Sequence, residues 1–133
     1  MFDIALPLTA LGIILALLAY IVAIRQVGKM RGKYGIKVPA MTGHEEFDRA
    51  LRAQMNSLEF LPIFLTLAVI LAGLYGDVIG GIYSAIYALG RWLYVRGYIV
   101  GPEKRIPGFM IATFSTLIAL IASIGGLIWQ LVS

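Results

Sequence analysis

The residues best suited to chemistry fall in two short stretches and one point beyond them. Arg52, Asn56 and Glu59 recur at i, i+4 and i+7. That spacing puts a cation, an amide and a carboxylate on one face of a helix. Tyr87, Arg91, Tyr94 and Tyr98 follow at steps of 4, 3 and 4 and form a second polar face. Arg105 stands seven residues after Tyr98. Cations, a carboxylate, an amide and phenols together suit a small zwitterionic or polyanionic ligand. An arginine fork binds a carboxylate, and Glu59 can accept from an ammonium group. A plainer arrangement is equally open. Arg91 and Glu59 can pair as a structural ion pair, and Tyr94, Tyr98 and Trp92 can belong to an interfacial aromatic belt.

Both faces run into segments built for lipid. The chain has 133 residues, of which 60% are hydrophobic, and its mean hydropathy is +0.89. Soluble domains are about 45–50% apolar. Here the excess is gathered into four blocks, which predicts a single all-α domain over residues 1–133, an integral membrane four-helix bundle. The first block runs from Ile4 to Ile24 without a charge. It lacks the positive start and the small-residue cleavage site of a signal peptide, so a retained span is expected. Pro7 suits its first turn. A basic segment follows, with Arg25, Lys29, Arg31, Lys33 and Lys37. Gly28, Gly32, Gly35 and Pro39 argue against one continuous helix through it.

Thr42-Gly-His-Glu45 reads as a capping box, with Thr42 as N-cap. The second span then runs through the Arg52 face to Gly73 or Gly76, with a kink expected at Pro62. The third span covers 78–100 and the fourth 108–132, joined by Gly101-Pro102-Glu-Lys-Arg-Ile-Pro107. Gly125-Gly126 offers a close helix contact. The first and third connections carry the basic residues. The positive-inside rule therefore puts both on the cytoplasmic side and both termini outside.

Several chemistries are excluded or disfavoured. With no cysteine, this chain has no disulfide, thiolate metal site or cysteine nucleophile; any thiol must arrive with a substrate. With one histidine, a protein-made zinc or iron site is not expected, and neither a phosphate-binding glycine loop nor a serine–histidine triad is present. The charge of +4 reads as topology and lipid contact, with no nucleic-acid partner.

The run Arg52-Ala-Gln-Met-Asn56-Ser-Leu-Glu59-Phe-Leu-Pro62 resembles the second-helix signature of the MAPEG family, membrane-associated proteins in eicosanoid and glutathione metabolism. Arg91-Trp-Leu-Tyr94-Val-Arg-Gly-Tyr98 with Arg105 resembles the third-helix motif and catalytic arginine of its glutathione-transferase branch. The likeness covers nearly the whole chain in length, span count and loop placement. It implies a homotrimer in a bacterial inner membrane or an organelle membrane, with glutathione as co-substrate held between neighbouring protomers near the cytoplasmic side. It further implies that Arg52, Asn56, Glu59 and Tyr94 hold the γ-glutamyl end. Gln54 and Lys29 would take the glycine carboxylate, Arg91 and Tyr98 would line the site, and Arg105 would stand at the thiol. Lys29 falls where the pattern has an arginine, and offers a point charge in place of a fork. Phe60 falls where it has a tyrosine, which removes one hydroxyl.

What the resemblance implies is a transferase that turns the glutathione thiolate on a lipophilic electrophile, or on a lipid hydroperoxide as a peroxidase, in a detoxification role. A non-catalytic lipid-binding or scaffold protein of the same fold is the alternative. A channel or transporter is disfavoured, because the polar residues gather at one membrane side while conduction needs them through its full thickness.

Overall fold

The computed structural model describes residues 3–133. Among the described residues, four long helices, α1 (Pro7–Tyr34), α2 (Glu45–Tyr75), α3 (Asp77–Val100) and α4 (Ile106–Val132), make up the protein, with a 3-10 turn, Pro102–Arg105, before the last. All four are long and apolar enough to cross a membrane. The protein is a multi-pass, all-α membrane bundle. Helix α3 lies at its centre and packs against each of the others, while α1 and α4 flank it with little contact of their own.

Helices α1 and α4 are amphipathic in reverse. The buried residues of α1 are Thr9, Gly12, Ala16, Ala19, Ala23 and Met30, while Leu8, Leu11, Ile14, Leu18 and Ile21 point outward. Helix α4 repeats the pattern with Gly108, Ala112, Thr116, Ala119 and Ser123 inside. Lipid tails are as apolar as leucine, so burying large aliphatics gives no drive for association; small residues instead let backbones approach and gain dispersion contacts. The approach is close. A methyl group at Gly108 would lie 2.5 Å from the Gly90 carbonyl oxygen, and one at Gly90 would lie 2.7 Å from the Ala112 nitrogen. Large side chains fill the seam between α2 and α3, where Phe64 stacks on Tyr87 with ring centroids 4.0 Å apart. The Tyr83 and Thr116 hydroxyls share a hydrogen bond of 3.0 Å between α3 and α4.

Polar bonds tie the helix ends. The Asp77 carboxylate accepts from the backbone N–H groups of Leu8 and Thr9, each at 2.8 Å. It caps α1 from the start of α3, satisfying donors that a helix N-terminus leaves free. The half-buried Trp92 indole donates to the Leu15 carbonyl at 3.1 Å and so joins α3 to α1.

Three expectations need correction. Helix α1 extends past the apolar block that ends at Ile24, though not through the whole basic segment. It continues to Tyr34, and Gly28 and Gly32 sit inside it with nothing near them. An isolated helical glycine costs only about 1 kcal/mol, which a long helix absorbs. Gly35, at φ 63°, makes the left-handed turn that ends it. The N-cap of α2 is His44, not Thr42: its Nδ1 accepts from the Glu46 N–H at 3.1 Å. Glu45 pairs forward with Arg49 at 2.7 Å rather than back to the cap. Helix α4 begins two residues before the expected Gly108, while α2 runs through Pro62 to Tyr75 as expected.

Gly108→Ala should force α3 and α4 apart. A loss of about 1–3 kcal/mol is expected, read as a lower thermal unfolding midpoint in detergent, whereas Gly125→Ala, which has open space around it, should hold or slightly raise the midpoint because alanine is the better helix former.

Candidate functional site

A cavity of about 630 Å³ opens at the basic end of the bundle, where α2, α3, the 3-10 turn and the start of α4 meet. That volume lies within the usual range for small-ligand sites. Helix α2 contributes Asp48, Arg52, Asn56 and Glu59 from successive turns of one face, with Leu51 and Met55 beside them. Helix α3 contributes Tyr94 and Tyr98; the turn and α4 contribute Arg105, Ile106 and Phe109; Met41 and Thr42 overhang from the first connection. Two cations and two carboxylates thus face one space, a distribution complementary to a zwitterion.

The aromatic wall is rigid. Tyr94 and Tyr98 are 3% and 8% exposed, which sets aside the interfacial-belt reading. Their rings meet edge to face at 5.7 Å, and Phe109 packs on Tyr94 at 6.2 Å. The Arg105 guanidinium lies 4.8 Å from the Tyr98 ring centroid, where the ring quadrupole attracts a cation. Its position depends on Gly97. The Lys104 carbonyl packs so tightly against Gly97 that a methyl group there would strike it. The bare backbone of α3 therefore seats the turn that aims Arg105.

Arg91 is 3% exposed and stands behind this wall, not on it. Its Nη2 donates to Asn56 Oδ1 at 3.0 Å and to Ser57 Oγ at 2.7 Å. Its guanidinium lies 4.2 Å from the Tyr94 ring centroid and 5.5 Å from that of Phe60. The expected place for Arg91 in the lining is corrected, and so is the alternative pairing with Glu59: among the described residues the ion pairs are Lys33–Glu46 and Arg49–Glu45. Glu59 is left free to face the cavity.

The structure brings Arg52, Asn56, Glu59, Tyr94, Tyr98 and Arg105 together and leaves Lys29 and Gln54 elsewhere. Lys29 is exposed on α1. Gln54 Nε2 donates to the Tyr20 hydroxyl at 3.1 Å on the side of α2 turned toward α1. Sequence reasoning missed Ser57, Asp48 and the overhanging connection. Asp48 accepts from the Thr42 hydroxyl at 3.0 Å and from the Gly43 N–H at 3.3 Å, which latches the connection over the cavity. Its position four residues before Arg52 was the available signal.

Four membrane-crossing helices with a ligand-sized polar cavity recessed at one end define an integral membrane protein built around a small-molecule site. Residues 4–125 match the MAPEG family, and the chain belongs to it. It is 42% identical over 118 residues to the uncharacterized protein sll1147 of Synechocystis sp., covering 88% of this chain and 85% of that one. It is 39% identical to human microsomal glutathione S-transferase 2 over 77% of this chain and 68% of the human protein. Bovine leukotriene C4 synthase is 29% identical over 75% of this chain and 67% of its own length.

Asp48→Ala should release the overhang. Faster amide hydrogen exchange over residues 36–44 is expected, with exchange in α3 unchanged; equal protection in parent and variant would show that other contacts hold it.

Proposed function

We propose that the protein is a membrane-bound glutathione transferase whose site is this cavity. The observation that carries the reading is the convergence of Arg52, Asn56, Glu59, Tyr94, Tyr98 and Arg105 on one space between apolar helices. Two relatives named for glutathione S-transferase and leukotriene C4 synthase activities support it. Glutathione carries two carboxylates, one ammonium and a thiol. Arg52 and Asn56 offer donors to the α-carboxylate and Glu59 accepts from the ammonium, so the γ-glutamyl end lies along α2. Arg105 then stands at the thiol.

The chemistry follows from the charge on sulfur. The thiolate is the nucleophile, and a free thiol titrates near pH ~8.5. A guanidinium beside the sulfur favours the charged form and lowers that value. The proton leaves to solvent at the mouth of the cavity. The sulfur lone pair then forms a carbon–sulfur bond with a lipophilic electrophile, and the leaving group departs with the displaced electron pair. The electrophile arrives from the bilayer, which surrounds the exposed aliphatic faces of α1 and α4. The basic end faces the cytoplasm by the distribution of its lysines and arginines.

Lys29 and Gln54 fit the same reading when the protein is a homotrimer. Lys29 lies on α1 and Gln54 on the α1-facing side of α2, both away from their own protomer's cavity. From a neighbouring protomer they would reach the glycine carboxylate of a glutathione held between subunits.

Conjugation of glutathione to an activated chloronitroarene by detergent-purified protein tests the reading. Arg105→Ala should lower turnover roughly 100-fold near neutral pH while changing glutathione affinity little. The sign of its pH dependence is fixed: without the cation the bound thiol's pKa rises, so the deficit should shrink above pH ~8.5. Unchanged turnover in the variant would remove Arg105 from the chemistry, and absence of glutathione binding by the parent would remove the whole assignment.

A further inference from the structure

We infer that Arg91 is a positioning residue that fixes which end of the Asn56 amide the cavity meets, and so turns the hydrogen-bond donors of that amide toward the ligand. The inference rests on the proposed glutathione site for its consequence, but not for its geometry.

Arg91 is a cation with N–H groups and no acceptor. The Asn56 atom 3.0 Å from its Nη2 must therefore be the amide oxygen. The same nitrogen is bonded at 2.7 Å to Ser57 Oγ, and that hydroxyl gives its own proton to the Ala53 carbonyl at 2.7 Å. The chain of donation runs one way, from the guanidinium to the Ser57 oxygen and from the Ser57 proton to the α2 backbone. A flipped Asn56 would turn its own N–H groups on the Arg91 N–H and leave that buried donor without its amide acceptor. With its oxygen turned to Arg91, behind the wall, Asn56 is held with its two amide N–H groups toward the cavity. A free asparagine accepts or donates by flipping its amide; this one is held donor-outward.

The guanidinium is itself held from two sides. The Tyr94 ring covers it at 4.2 Å and Phe60 stands at 5.5 Å. Burial makes it costly for Asn56 Oδ1 to leave, since Arg91 would then lose a charge-assisted bond away from water. The selective consequence follows. A carboxylate or carbonyl on the ligand is favoured beside Asn56, and an ammonium there is disfavoured. The ligand's amino group is thereby directed to Glu59, one turn further along α2. Arg91 sets the polarity of ligand binding without touching the ligand.

Asn56 is the chain's sole asparagine, so selective 15N-asparagine labelling gives one side-chain amide pair to observe by NMR in detergent. Arg91→Met, close in length but without donors, should shift and broaden that pair in the ligand-free protein. Glutathione affinity should fall about tenfold or more. Asn56→Ala should weaken binding similarly, and the double variant should be no weaker than Asn56→Ala alone, because Arg91 acts through that amide. Asn56→Asp keeps the acceptor for Arg91 but removes the donors. It should retain the parent's thermal midpoint or exceed it, yet lose glutathione affinity.

Additive losses in the double variant would place Arg91 on the ligand itself and overturn the inference. So would parent-like affinity in Asn56→Asp, or an amide pair unmoved in Arg91→Met. Should Arg91→Met fail to fold, Arg91→Lys serves the same measurements. It keeps the charge but lacks the fork, and should still shift the amide pair. If the parent binds no glutathione, the functional assignment fails, and the ligand-free amide spectrum alone decides the role of Arg91.

Discussion

Everything in this bundle depends on how closely α1 and α4 can approach α3. In lipid the approach cannot be driven by exclusion of water, so it is driven by contact, and contact requires the absence of side chains. The Gly90–Gly108 crossing and the Gly12–Ser84 approach are places where one backbone touches the next helix directly. These crossings hold α3 still on two sides. Its remaining face, with Tyr83, Tyr87, Arg91, Tyr94 and Tyr98, can then be filled with large and polar side chains without the helix shifting to relieve them. The rigid wall of the site is a by-product of the thin seams behind it.

The same logic orders the polar residues by depth. Arg91 lies inside, bonded to α2 and covered by aromatic rings. Arg105 lies at the rim, on a turn seated by Gly97. Arg52 and Glu59 face the cavity without side-chain partners among the described residues. A guanidinium is the cation that tolerates the inner position, because its Nη2 bonds both Asn56 and Ser57 and its weak hydration lets it sit against aromatic faces. One residue type therefore fills three roles at three depths.

How much of this was legible in the sequence varied with the physics involved. The four spans and the two polar faces were readable because each rests on a period: hydropathy over about 20 residues, and polar residues repeating at helical spacing. The 4, 3, 4 spacing of Tyr87, Arg91, Tyr94 and Tyr98 became one buried face. The partner of Arg91 was not readable, because Glu59 and Asn56 share a face and differ only in which turn meets α3. The length of α1 was misjudged because Gly28 and Gly32 carry a modest cost in a helix that tertiary contacts support elsewhere. The N-cap was misplaced because Thr42 and His44 both fit, and the choice fell to Asp48, which draws Thr42 and the Gly43 N–H onto itself. The inward stripes of α1 and α4 were present in the sequence at spacings of 3 and 4, but in alanine, glycine, serine and threonine, which a search for large apolar residues passes over.

The cap that Asp77 places on α1 has a further consequence for the molecule's height. It fastens the first turn of α1 level with the α2–α3 turn, so the helix cannot slide along its axis. At 28 residues and 1.5 Å per residue, α1 is roughly 42 Å long, against a hydrocarbon layer of about 30 Å. Fixed at one end, it must spend its surplus at the other. The 31 residues of α2, which end at the same turn, do likewise. The basic residues of α1 therefore stand on a stiff pair of posts rising out of the bilayer beside the cavity mouth, at a height set by a single carboxylate on the far side of the membrane.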